Sequence, residues 1–215
     1  MKNKVILISI DGMRPDGLKT CGNPYVKEME KTCAYTYTAR SMNPSVTFPC
    51  HFSMTHSVTP QRHGILSNTY VPQVRPVKGI FEKIDAVGGV SAMFYGWEPL
   101  RDIALPGALT YATYINAYAK ESSDTVLTDA AIRTIEEASP DFVFLYMVET
   151  DEKGGHDRSH GSEMAEDMTI PLFFYGKDFA PGEIEKPLSL LNVAPTIAHL
   201  MGIEPEKEWE GVSVL

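Results

Sequence analysis

Four apolar runs set the frame of this chain. Val5 to Ile10 (Val-Ile-Leu-Ile-Ser-Ile) is β-branched and apolar on both faces, the pattern of a central parallel strand covered from either side. Val90 to Tyr95, Phe142 to Val148 and Ile170 to Gly176 read as further strands. Between them the spacing becomes helical. Tyr25 to Cys33 reads as a short helix. Val77 to Val87 places Val77, Ile80, Phe81 and Ile84 on one face and stops at Gly88-Gly89. Ser123 to Ala138 is a longer helix with Ser123 or Asp124 as its cap, and Pro187 to Met201 closes the chain with another. Asn68 to Pro76, interrupted by Pro72 and Pro76, reads as an extended crossing, and the tyrosine-rich stretch from Trp97 to Ala119 as irregular. Alternating strands and helices predict an α/β fold: a three-layer α/β/α sandwich around a mostly parallel sheet. No repeat, low-complexity tract or linker divides the chain, so residues 1–215 are expected to form a single domain.

The chemistry gathers where these runs end. Val5 to Ile10 runs into Asp11-Gly12, and in open α/β sheets ligands collect at the carboxyl ends of strands. Asp11 is therefore either a ligand for a divalent metal or a turn-forming residue before glycine. Arg14 and Asp16 follow as supporting partners or as solvated turn residues. The third strand runs into Glu149 to Gly161, which holds Asp151, His156, Asp157 and His160 within ten residues. Asp and His separated by glycines are what an N/O-ligated zinc or similar ion needs, hard donors on a chain able to fold tightly round it. His156 and His160, four residues apart, read equally as a solvated pair. His63 lies in the polar loop from Ser57 to Ile65, and His199 on the closing helix reads as an ordinary surface or core residue.

One hydroxyl stands apart, that of Thr47 in Asn43-Pro44-Ser45-Val46-Thr47-Phe48-Pro49-Cys50-His51. Pro44 and Pro49 bracket it, so the chain approaches extended and turns close by. Cys50 to His56 reads as a helix with Pro49 at its start, placing Thr47 at or just before a helix N-terminus, where an anion is favoured. A hydroxyl there can attack phosphorus or sulfur with a metal's help, or it can simply cap the helix.

Composition narrows the choice. With 215 residues and 43% hydrophobic content, the chain can bury a full core. A net charge of −9 argues against nucleic acid or an anionic membrane as partner. An acidic protein that handles an anionic substrate needs bound cations to reverse the local charge. Three dispersed cysteines, Cys21, Cys33 and Cys50, suggest reduced thiols and a cytoplasmic setting. The apolar start is too short for a signal peptide, and no run approaches the length of a membrane span.

Four motifs in order resemble the alkaline phosphatase superfamily, and within it the type I phosphodiesterase/nucleotide pyrophosphatase group. They are Ile8-Ser9-Ile10-Asp11-Gly12-Met13-Arg14-Pro15-Asp16, Thr47-Phe48-Pro49-Cys50-His51, Pro60-Gln61-Arg62-His63-Gly64-Ile65 and Gly154-Gly155-His156-Asp157-Arg158-Ser159-His160-Gly161. The resemblance implies a hydrolase of phosphate esters (phosphodiester, nucleotide pyrophosphate or phosphomonoester). It further implies two divalent ions, zinc above all with manganese or magnesium as alternatives, a nucleophilic Thr47 and a covalent phosphoryl-enzyme. By the same resemblance Asp11 and Thr47 belong to one metal and His160 to the other, with Asp151 and His156 completing the set. Cys50 stands where many relatives have an asparagine that donates to the phosphate. A thiol is a weak donor.

The chain departs from the family between Asp151 and His156. Relatives carry two separate ligand pairs there, an Asp followed by Gly-His and a later Asp-His-Gly; this chain runs the first into the tail of the second. The implied omission near residues 152–154 is at least one strand-helix unit, on the order of 30 residues. Either a longer chain supplies that unit or a neighbouring subunit fills the gap as a homo-oligomer. Two other readings stand beside the hydrolase: a non-catalytic relative that binds a metal or phosphate-like ligand, and a sulfatase-like hydrolase, whose modified Cys or Ser nucleophile has no counterpart at Thr47.

Overall fold

A computed structural model describes residues 3–119, 121–153, 161–162 and 164–215. In chain order it contains β1 (Val5–Ile10), α1 (Pro15–Thr20), α2 (Pro24–Thr32), β2 (Ala34–Arg40), α3 (Thr47–His56), α4 (Pro60–His63), α5 (Ile80–Asp85) and β3 (Ser91–Tyr95). There follow β4 (Tyr111–Tyr114), α6 (Ser123–Ala138), β5 (Phe142–Met147), α7 (Glu149–Lys153), α8 (Ala165–Met168), β6 (Thr169–Phe174), β7 (Gly182–Glu183) and α9 (Val193–Met201).

The main sheet is wholly parallel, in the order β1-β5-β3-β4. β5 lies inside it and is apolar all round because both its faces are covered. Phe142, Phe144 and Tyr146 point into a core shared with α3, α5 and α9; Val143 and Leu145 point into a second core closed by Leu127 and Ala131 of α6. Each such side chain contributes roughly 1.5–3 kcal/mol by leaving water. Helices on both faces make the expected three layers, and the parallel strands bring their carboxyl ends, with Asp11 after β1 and Asp151 after β5, to one edge.

Three expectations need correcting. β1 is not central: it pairs only with β5 and ends the sheet among the described residues. Val5 and Leu7 face the first core, whereas Ile6, Ile8 and Ile10 are 54%, 55% and 39% exposed. Its apolar run resembles a buried strand in composition, but only its odd positions are covered. The fourth strand does not join the parallel sheet. β6 runs antiparallel to β2 in a separate sheet of order β6-β2-β7. The third correction is to the closing helix, which begins as a 3-10 turn at Leu190–Asn192 and becomes α-helical only at Val193. β2 itself was not expected, although Tyr35, Tyr37 and Ala39 alternate with threonines in the manner of a strand. Tyr111 to Tyr114, inside the stretch read as irregular, adds β4 to the sheet.

The edge position of β1 has a measurable consequence. Phe144→Ala, in the interior of β5, should cost about 3–5 kcal/mol in urea unfolding. Ile8→Thr, on the uncovered face of β1, should cost no more than about 0.5 kcal/mol. Equal losses at the two positions would return β1 to the centre of a sheet.

Candidate active site

The N-terminus of α3 is built by its prolines. Val46 is extended and forms the cap position, so Thr47 is the first helical residue and Pro49 falls in the first turn, where a missing N–H costs nothing. The helix thus starts three residues earlier than the sequence suggested. Phe48 N–H donates to Asn68 Oδ1 at 3.0 Å, and Cys50 N–H to Val46 O at 3.1 Å. All ten residues of α3 are buried. Thr47 does not serve as the helix cap. Its hydroxyl donates to Asp11 Oδ2 at 3.1 Å, across to the end of β1.

Asp11 continues the inward alternation of β1. Among the described residues its carboxylate takes three donors: Thr47 Oγ1 and the Tyr146 phenol at 2.6 Å on Oδ2, and Gly12 N–H at 3.0 Å on Oδ1. Tyr146 was missed by sequence reasoning. The available signal was its position, a polar tip at the last inward place of an otherwise apolar strand. Burial first, then the charge of Asp11, pushes the phenol's pKa up, so it stays a donor. Gly12 has φ +69°, and a Cβ there would sit 2.9 Å from both the Cα and Oδ1 of Asp151. Glycine is therefore what lets the two aspartates approach.

Asp151 is held by an exchange of caps. The Asp124 carboxylate accepts from the N–H groups of Val148 and Glu149 at 3.0 Å each, while Glu149 Oε1 accepts Asp124 N–H at 3.0 Å and the Ser123 hydroxyl at 3.3 Å. The starts of α6 and α7 thus fix each other. Asp124 acts across to the next element rather than as the local cap expected for α6. On the other side Ser45 Oγ donates to Ser162 O at 2.8 Å and accepts Gly161 N–H at 3.1 Å, tying the returning chain to the approach of Thr47.

His51 anchors Thr47 from below. Its Nδ1–H donates to Thr47 O at 2.7 Å, which leaves Nε2 to accept the Ser9 hydroxyl at 2.9 Å. Cys50 Sγ lies 3.3 Å from Ser41 Oγ and 3.6 Å from Pro44 O, and burial pushes its pKa up, so it is a neutral thiol. Any contact it made with a substrate would compete with those two bonds. Arg14 and Asp16 pair with each other at the surface.

The structure therefore brings Asp11, Thr47 and Asp151 together. His156 and His160 lie outside the described residues, as does Asp157. Among the described residues no group of three or more His, Cys, Asp or Glu side chains is arranged to hold an ion. The oxygen donors present, two carboxylates and a hydroxyl at one sheet edge, nonetheless fit one hard divalent cation.

Comparison with known proteins shows what the chain is similar to. Residues 5–105, which include Asp11 and Thr47, match the family model for type I phosphodiesterase / nucleotide pyrophosphatase. Ectonucleotide pyrophosphatase/phosphodiesterase family member 3 of Rattus norvegicus is 28% identical over 171 residues, 70% of this chain and 19% of its own length. Murine ectonucleotide pyrophosphatase/phosphodiesterase 5, solved as an inactive threonine-to-alanine variant in complex with AMP, superposes with a TM-score of 0.60 and 19% identity over 77% of this chain and 48% of its own. A phosphonate monoester hydrolase from Silicibacter pomeroyi superposes with a TM-score of 0.75 and 12% identity over 100% of this chain and 76% of its own. The chain thus spans less than a fifth of the length of the curated rat relative.

His63 links α4 to α3 beneath the site. Its Nδ1 accepts Ile65 N–H at 3.0 Å, and its Nε2–H donates to Ser53 Oγ at 3.0 Å. Burial lowers its pKa to about 4, and protonating Nδ1 would break the bond from Ile65. Between about pH 6.5, where an unfolded histidine takes its proton, and pH 4, the unfolded state holds more protons. Stability then falls as pH falls, by up to about 1.4 kcal/mol per unit. The loss in unfolding free energy from pH 7 to pH 5 should be about 2 kcal/mol smaller in His63→Gln than in the wild type. An identical loss in both proteins would mean that His63 is not buried neutral.

Proposed function

We propose that this chain, which belongs to the type I phosphodiesterase/nucleotide pyrophosphatase-like group of the alkaline phosphatase superfamily, hydrolyses phosphate esters through Thr47. The observation that carries the reading is the 3.1 Å bond from the Thr47 hydroxyl to Asp11, at the positive end of a buried helix with Asp151 alongside. The hydroxyl proton already points at a carboxylate, so Asp11 sets the direction in which it leaves. Thr47 Oγ1 then forms a bond to phosphorus while the bond to the ester leaving group breaks, and α3's N-terminal end stabilises charge on the phosphoryl oxygens. Water next attacks the phosphothreonine, the bond from phosphorus to Oγ1 breaks, and the hydroxyl regains its proton.

Asp11, Thr47 and Asp151 would hold a divalent ion, which we take to be zinc with manganese or magnesium as substitutes; His156 and His160 are proposed as the remaining ligands for a two-ion site. Such an ion supplies Lewis acidity at the phosphoryl oxygens and lowers the proton affinity of the nucleophile. The murine relative solved with AMP supports a small nucleotide phosphoester as substrate, and its inactive threonine-to-alanine form supports a threonine at the centre of the chemistry. Three free thiols support a reducing, cytoplasmic setting.

Assays of a nitrophenyl phosphodiester and a nitrophenyl phosphate, with added zinc or manganese, test the reading. Thr47→Ala should lower turnover about a thousandfold or more, at a stability cost of only about 1 kcal/mol for the lost bond. Chelator should abolish wild-type activity and added metal restore it. Full activity in Thr47→Ala would remove the nucleophile assignment.

A further inference from the structure

We infer that Tyr146 is a positioning residue, fixing the Asp11 carboxylate that receives the Thr47 hydroxyl. The inference rests on the proposed use of Asp11 and Thr47 and goes beyond it, to what holds Asp11 still.

Among the described residues three donors reach Asp11: the reacting hydroxyl, the adjacent backbone N–H of Gly12 and the Tyr146 phenol, which at 2.6 Å makes the shortest of these bonds. Tyr146 is 1% exposed, so the phenol cannot turn to water instead. The strand register supports the same role: Tyr146 lies directly beside Ser9, two residues before Asp11, on β5, which pairs with β1. The ring has a second duty. It meets His51 edge to face at 5.1 Å between centroids, and His51 in turn donates to Thr47 O. One side chain thus braces both ends of the bond between Thr47 and Asp11. When the hydroxyl turns towards phosphorus, Asp11 loses that donor, and Tyr146 is what keeps Oδ2 in place.

Two effects of removing the phenol oppose each other. Freeing the carboxylate to rotate weakens its grip on an ion, whereas removing a competing donor strengthens it. Donors to ligating carboxylates typically contribute 10–100-fold to metal affinity or activity, so the first effect should win.

Tyr146→Phe removes the oxygen and keeps the ring against His51. The measurements are manganese binding to the metal-stripped protein by calorimetry, kcat and KM for the nitrophenyl phosphodiester, and near-ultraviolet circular dichroism as a check on folding. Tyr146→Phe should bind manganese about 10-fold more weakly and lose at least 10-fold in kcat, with KM changed less than about 3-fold. A merely structural tyrosine would shift the melting temperature and leave manganese affinity and kcat alone; that result, or tighter manganese binding, overturns the inference. If the wild type binds and hydrolyses normally and Tyr146→Phe matches it, only the role of Tyr146 falls. If the wild type neither binds manganese nor hydrolyses the diester, the proposed function falls and this inference with it.

Discussion

The site depends on a single buried carboxylate shared between two layers. Asp11 ends a strand, Thr47 begins a helix and Tyr146 sits on the next strand, and their hydrogen bonds meet at Asp11 Oδ2. A buried carboxylate without partners is costly enough that it would be protonated or the fold would rearrange. These donors offset that cost and tie α3 to the sheet. The requirement to satisfy Asp11 thus also places the Thr47 hydroxyl at the carboxyl ends of the strands.

This constraint has to work from one side. Among the described residues β1 pairs with β5 alone, and its outer face leaves Ile6, Ile8 and Ile10 exposed. A strand held by one neighbour is less restrained than one held by two, so the position of Asp11 rests heavily on β5 and on what β5 carries. Tyr146, which donates to Asp11, is on β5, and Asp151, which lies against Gly12, is on α7 just after it. The mutual caps of Asp124 and Glu149 extend the brace to α6, which packs on β5 and β3. These polar contacts are short, local and arranged round the strand that bears the load.

Much of the architecture was legible in the sequence. β3, β5, α6 and the α/β alternation follow from apolar runs and helical spacing, and Asp11, Thr47 and Asp151 could be named because strand ends and helix starts are written in Gly, Pro and Asp. Other features were not legible, for identifiable reasons. An all-apolar strand looks the same whether one face or both are covered, so the composition of β1 could not reveal its edge position. β6 has the composition of a parallel strand but pairs antiparallel with β2, a choice fixed by partners distant in sequence. The Asp124–Glu149 exchange joins residues 25 positions apart, beyond any local capping pattern. Tyr146 read as core because its neighbours in sequence reveal nothing about a carboxylate on the adjacent strand; only the register of β1 against β5 does.

Electrostatics carries the last step. Like charges brought close together repel, and this chain places Asp151 against the Gly12 that follows Asp11. The N-terminus of α3 offers about half a positive charge, which cannot offset two carboxylates and a phosphate together. The protein's net charge of −9 deepens the problem for any anionic substrate. Tyr146 moderates one carboxylate by donation without supplying charge. What remains is a sheet edge of hard oxygen donors, of the kind a divalent cation takes. On the proposed hydrolase reading, a bound cation would be what lets a phosphate approach Thr47, whose hydroxyl Asp11 already holds in place.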